Sequence, residues 1–260
     1  MRQSTRCLCF AAAGLCFGPA AFADTRVTYQ TNGAEAASIA VKGDLVRWKM
    51  TDGTAGQHTL LYDNKRREVS FVDVERKQIH VMNEATLAKL RGMRAEMQPM
   101  MEQMRQRLKT MPPEQRRMME QQMPQLRGMK GGGADKITAR RGKKTKIEGY
   151  PCQIIDMLLN GQPRHQMCVA DRGDVGMSRG DYKTLRGMYE FMDKMAQASP
   201  MAPQRFGSNF KGVPVRMKDH QTGKVQTVKA VSNARLSKDV FKLPPYPRAD
   251  PMERPPMRRR

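Results

Sequence analysis

The chain has 260 residues, with 47 lysines and arginines against 25 aspartates and glutamates, a net charge of +22. That length suffices for one large domain or two small ones. A cytosolic chain this basic would point to nucleic acid, so the compartment decides what the charge means.

The first 23 residues, MRQSTRCLCFAAAGLCFGPAAFA, place Arg2 and Arg6 before an apolar run from Cys7 to Phe17 and end on Ala21-Phe22-Ala23. A basic start, a short apolar middle and an A-x-A end describe a cleaved secretory signal, with cleavage expected between Ala23 and Asp24. The run is too short to span a membrane as a helix, and no later run is long and apolar enough. A lipoprotein signal acting on Cys16 competes with this reading, but Leu15 stands where such a signal wants a small side chain. The expected location is the periplasm. Loss of Arg2 and Arg6 leaves 45 basic and 25 acidic residues, net +20. In an exported protein that excess suits an anionic membrane surface or an acidic partner, and not nucleic acid.

From Asp24 to Met82 the pattern has period two. Val27 and Tyr29 alternate with polar residues, and SIAVKGDLVRWKM reads as a hairpin around Lys42-Gly43-Asp44. HTLLY, REVSFVDV and KQIHVM follow, separated by short polar turns. An antiparallel meander is expected.

At residue 83 the period changes. Asn83 can cap a helix, and Leu87, Leu90, Met93, Met97, Met101, Met104, Leu108 and Met111 recur at steps of three and four. Pro99 should kink or split this helix, and Pro112-Pro113 should end it and start another. Residues 83–130 thus form a helical insert, closed by the flexible linker KGGGADK. Eleven of the 23 methionines lie between Met82 and Met129, and ten Lys or Arg face four Glu from Thr86 to Lys130. The methionines have three readings: a core face, a pliable wall for a lipid or acyl chain, or a copper or silver site that uses Met97, Met100, Met101 and Met104.

Strands return at KITARR, TKIEGYPCQIIDMLL and RHQMCVA, the last two paired across an Asn160-Gly161 turn. A helix is expected from about Asp181 to Ala198, with Ser178 and Asp181 as a capping box. GVPVRMKD and VQTVKAVS make the final strands, and LSKDVFKLPPYPR reads as a docked terminal segment. Residues 247–260 are proline-rich and basic and are expected to be disordered.

Chemistry is sparse. Cys152 and Cys168 are the only cysteines left after cleavage, which in an exported chain implies a disulfide. A zinc site of Cys152, His165 and Cys168 is the alternative, but it lacks a fourth ligand nearby. Gly176-Met177-Ser178-Arg179-Gly180 fits G-x-S-x-G, so a hydrolase using Ser178 must be weighed. That motif needs a buried strand before the serine and a parallel sheet beneath it, whereas this context is a loop among antiparallel strands. Ser178 therefore reads as a helix cap. No catalytic residue, metal or cofactor is assigned, and the protein is not expected to be an enzyme.

The order of these parts resembles a bacterial exported family, domain of unknown function 4412 (DUF4412). The resemblance rests on IEGYPCQIIDM with Cys152, HQMCVAD with Cys168, Gly212-Val213-Pro214, and Phe241-Lys242-Leu243-Pro244, and it covers nearly the whole mature chain. It implies a fold like that of the lipoprotein carrier LolA: an α+β, mainly β, curved antiparallel open half-barrel. The methionine-rich insert and one further helix would pack on its concave face. Residues 24–246 would form this single domain, as a monomer. No activity comes with the family; a lipid or lipoprotein acyl chain is the partner its fold suggests. Trp48, Phe71, Met93, Met97, Met101 and Met104 are the candidates to line such a ligand.

Overall fold

The computed structural model describes residues 24–52, 56–112, 114–115, 137–198 and 210–249. The leader, most of the second expected helix, the glycine linker and the tail from residue 250 lie outside the described residues.

The amino-terminal half is a six-strand meander: β1 (Thr25–Thr31), β2 (Ala34–Lys42), β3 (Leu45–Asp52), β4 (Gly56–Asp63), β5 (Glu68–Asp73) and β6 (Gln78–Asn83). Its turns follow from local chemistry. Asn32-Gly33 takes positive φ at both positions, which matches the right-handed twist of the flanking strands. Asp63 accepts backbone N–H bonds from Lys65 and Arg66, and Asp73 accepts one from Arg76, so both aspartates build their own turns. Helix α1 (Glu84–Thr110) follows. The second half contains β7 (Ile137–Ile147), β8 (Tyr150–Leu159), β9 (Gln162–Ala170), helix α2 (Arg179–Ala198), β10 (Val213–Asp219), β11 (Val225–Asn233) and the short β12 (Arg248–Ala249).

All twelve strands belong to one open, curved sheet in the order β12-β6-β5-β4-β3-β2-β1-β11-β10-β9-β8-β7. Every pairing is antiparallel except β12 with β6. The expected half-barrel is therefore present. Glu148-Gly149 forms a further positive-φ turn, which separates β7 from β8 within the run TKIEGYPCQIIDMLL.

Alternation decides the two faces. Thr25, Val41, Val46, Tyr62 and Val69 are cross-strand neighbours and are buried. Helix α2 lies on this face: the Tyr62 and Phe191 rings are 5.9 Å apart, and the Thr184 hydroxyl donates to the Gly43 carbonyl at 2.7 Å. Leu60, Tyr62, Leu185, Met188 and Phe191 are fully buried here. Each such side chain contributes about 1.5–3 kcal/mol. Gly187 lets the helix approach closely, because a Cβ there would sit 2.7 Å from Asn64 Oδ1.

The opposite face of the meander is covered by the carboxy-terminal segment. Lys42 Nζ reaches the Leu236 carbonyl at 2.6 Å, the Arg47 guanidinium donates to the Val240 carbonyl, and Phe241 is buried. The Ile79 N–H donates to the Pro247 carbonyl, and β12 then pairs with the edge of β6. Residues 247–249 thus belong to the fold, where disorder was expected. The reason is the unpaired edge of β6, which supplies backbone partners that composition alone does not reveal.

Helix α1 runs unbroken through Pro99, so the proline does not split it. All side chains from Arg91 to Met100 are exposed, so the carbonyl freed by proline faces water.

Gly212 is the tightest point of the backbone. Its φ is +132, and a Cβ would lie 2.3 Å from the Ala170 carbonyl oxygen. Gly212→Ala is expected to lower stability by more than ~2 kcal/mol, measured by urea unfolding. A variant within a few tenths of the parent would contradict this account of the β9–β10 contact.

Candidate functional site

Cys152 and Cys168 form a disulfide with a Cα–Cα distance of 5.4 Å, and both are buried. The Asn160-Gly161 turn pairs Leu159 with Gln162, and a bulge between Met157 and Leu158 then shifts the register. Cys168 consequently faces Ile154, and Cys152 lies two residues along on the same side. A strict two-residue turn would pair Gln153 with Cys168; the bulge moves Cys168 to Ile154 and makes the bridge diagonal. With both sulfurs so engaged, the zinc alternative falls. His165 instead lies 3.9 Å from Asp219, and burial pulls its imidazole below the ordinary value while Asp219 opposes the shift. No group of three or more His, Cys, Asp or Glu among the described residues could hold a metal ion.

Ser178 precedes α2, and its Oγ accepts the Asp181 N–H at 3.0 Å. It does not sit on a nucleophile elbow. Seven residues of loop, 171–177, separate it from β9, and the surrounding sheet is antiparallel. Among the described residues no hydrogen bond joins Ser178 to a histidine. Asp181, its partner in the cap, accepts the Thr25 hydroxyl at 2.6 Å, and burial raises its carboxyl above the ordinary value.

The ligand-lining candidates divide into two groups. Trp48 and Phe71 lie in one cross-strand row, Ile39–Trp48–Leu60–Phe71–His80, on the face that carries α2. Both are half-buried and pack against the core, as do Met50, Leu90, Met192 and Met195. The Trp48 Nε1 atom is buried and has no hydrogen-bond partner. The insert methionines are elsewhere. Met93 and Met97 are 49% and 42% exposed, and Met104 is half-buried. The side chain of Met101 lies outside the described residues.

Helical geometry explains the split. Leu87 is buried, Leu90 is half-buried, and the Arg94 guanidinium reaches the Gln197 carbonyl of α2. At roughly 100° per residue, Leu87, Leu90 and Arg94 share one face, and the row through Met93, Met97 and Met104 is centred about 70° from it. Steps of three and four connect both rows, so periodicity joined a buried stripe to an exposed one. The next residue of that face to touch α2 is Arg94, exposed but hydrogen-bonded, which hydrophobic pattern does not reveal.

A cleft of about 290 Å³ was not anticipated. It is lined by Asp171, Arg172, Tyr182, Arg186, Lys211 and Gly212. Arg186 is already engaged there, with the Phe210 carbonyl at 2.8 Å and Glu190 at 3.2 Å. No pattern in the sequence marks it, because Arg172 and Lys211 stand on two loops that only the topology brings together.

These features define a class: an open antiparallel half-barrel, bridged by one disulfide, with a helix on its inner face and a second helix standing off it. The chain belongs to the family described as domain of unknown function (DUF4412), whose model matches residues 76–246. It is similar to an uncharacterized conserved protein from Thermus thermophilus, at 8% identity and a TM-score of 0.41, covering 88% of this chain and 91% of that one. It is also similar to MucB, at 11% identity and a TM-score of 0.29, covering 86% of this chain and 58% of MucB. A chain from the Pseudomonas aeruginosa MucA/MucB complex has 11% identity and a TM-score of 0.28, over 85% of this chain and 54% of that one. This chain therefore spans little more than half of the MucB chains it matches. No curated protein matches it. No helix among the described residues is long and apolar enough to cross a membrane.

Two outcomes follow. Replacing Cys152 and Cys168 with serine should cost about 3 kcal/mol, the chain-entropy value for a loop of this size; two reactive thiols in unreduced, denatured parent protein would refute the bridge. Ser178→Ala should cost ~1 kcal/mol as a lost cap and leave the protein inert to a fluorophosphonate probe in both forms. Labelling of Ser178 in the folded parent would restore the hydrolase reading.

Proposed function

We propose that this protein is an exported carrier or receptor for an amphiphile, which lays its apolar chain on the inner face beside Trp48 and Phe71. One observation carries the reading. A buried indole N–H without a partner sits in a wall of large apolar side chains that α2 covers only in part. An unsatisfied buried donor is costly, and an apolar surface with few free polar groups, here the Trp48 Nε1 and the His80 Nδ1 at the end of the same row, is the chemistry of a ligand site. The wall offers Trp48, Met50 and Phe71 from the sheet and Leu90, Met192 and Met195 from the helices. Each methylene buried there contributes about 0.8 kcal/mol, so ten contribute ~8 kcal/mol before ordering costs, which corresponds to micromolar affinity.

The disulfide supports an oxidising compartment, and the leader supports export to the periplasm. The exposed side chains of α1 include Lys89, Arg91, Arg94 and Arg107. Each basic group near an anionic membrane surface adds roughly 1 kcal/mol of attraction, screened by salt. The helix thus suits an encounter with anionic lipid before the ligand reaches the sheet.

Trp48 is the only tryptophan, so the site contains its own reporter. Titration with oleate below its aggregation concentration should shift and saturate the Trp48 emission at micromolar ligand. Phe71→Ser should weaken that response while the fold persists. Native mass spectrometry of periplasmic protein should find bound lipid. An emission spectrum unmoved by oleate, together with an empty protein in the mass spectrum, would sink the amphiphile reading. A copurifying polypeptide in place of lipid would do the same and make the wall a partner-binding surface.

A further inference from the structure

We propose that the outer stripe of α1 is a thioether site for a soft monovalent cation, Cu(I) or Ag(I). Met93, Met97, Met100 and Met104 follow at steps of four, three and four. At roughly 100° per residue they fall within about 60° of helical arc. Met93, Met97 and Met100 are 49%, 42% and 65% exposed, and they are three of the four exposed large hydrophobic residues among those described.

Packing does not account for this stripe, because the face of α1 that meets α2 runs through Leu87, Leu90 and Arg94. Helix formation does not account for it either. Methionine has nearly the same helix propensity as lysine, glutamine and arginine, which hold neighbouring solvent positions at no hydrophobic cost. What distinguishes the four residues chemically is sulfur. A neutral thioether is a soft ligand that favours Cu(I) and leaves hard or borderline divalent ions to carboxylate and imidazole.

The geometry is favourable without backbone movement. A rise of 1.5 Å per residue sets successive methionines about 4.5–6 Å apart along the axis. Each side chain has three rotatable bonds, so neighbouring sulfurs can converge on one ion. Glu96 stands one turn before Met100 and adds a negative charge beside the stripe. The near end of the helix is fixed: Asn83 caps it, Leu87 is buried, Lys194 bridges Glu84 at 2.9 Å, and Arg94 bonds the Gln197 carbonyl. The sulfurs are therefore displayed from a helix that is already formed. Thioethers carry no proton, so this affinity should stay level where histidine or cysteine sites weaken in acid.

The test is a titration of the full mature protein with Cu(I) under anaerobic conditions, against bicinchoninate as a coloured competitor. Ag(I) is followed in parallel by the methyl resonances of 13C-labelled methionine. The expected result is retention of Cu(I) against the competitor, equal between about pH 5.5 and 8, with the methyl signals of Met93, Met97, Met100 and Met104 moved by Ag(I). Replacing these four with leucine should abolish retention while the Trp48 response to oleate stays intact. That second readout reports folding and keeps this site separate from the amphiphile wall. Unmoved methyl signals from these four, or a folded leucine variant that still retains Cu(I), would overturn the assignment.

Discussion

The pairing of β1 with β11 holds the molecule together. Within each half of the sheet, neighbours in space are neighbours in sequence, from β1 to β6 and from β7 to β11. Apart from the short β12 along β6, only β1 against β11 joins the two halves, from Thr25 opposite Asn233 to Gln30 opposite Thr227. Contacts across the join reinforce it. The Thr25 hydroxyl meets Asp181 of α2, and the Tyr29 hydroxyl donates to the Pro214 carbonyl at 3.0 Å. Helix α2, which comes from the second half, can then cover strands of the first. So many distant contacts must form together that folding should be slow for the size of the chain.

The two edges of the open sheet are guarded differently. At one end β12 lies along β6, and the chain covers its own edge. At the other, β7 is eleven residues long and largely exposed, and it carries Arg140, Arg141, Lys143, Lys144 and Lys146. Repulsion among such side chains discourages pairing with another copy. Part of the large positive charge therefore has a structural use that needs no anionic partner. The charge on α1 is different, because that helix has no edge to protect.

The sheet was legible in the sequence because burial of one face imposes a period of two, and Lys42-Gly43-Asp44 and Asn160-Gly161 mark its turns. The disulfide was legible from cysteine count and compartment. Counting from the Asn160-Gly161 turn calls for a bulge or a longer loop, but not for the diagonal, which depends on the bulge falling on β9 beside Pro163. The inner position of Trp48 followed from alternation, but its unpaired N–H depends on which helix residues reach it. The methionine row misled for a definable reason. Positions 87, 90 and 94 and positions 93, 97 and 100 both obey helical spacing, and the choice between them is made by α2, nearly a hundred residues away. Tertiary contact also decided the fate of residues 247–249.

The covering of β2 to β6 by the last described residues has a consequence for biosynthesis. A chain emerges with its amino terminus first, so the meander is complete long before Leu236, Val240, Phe241 and Pro247 appear. Until then the Ile79 N–H lacks the Pro247 carbonyl, and the β6 backbone has no strand on its outer side. Cover for the earliest strands thus comes from residues 236–249, which follow every strand of the meander in the chain.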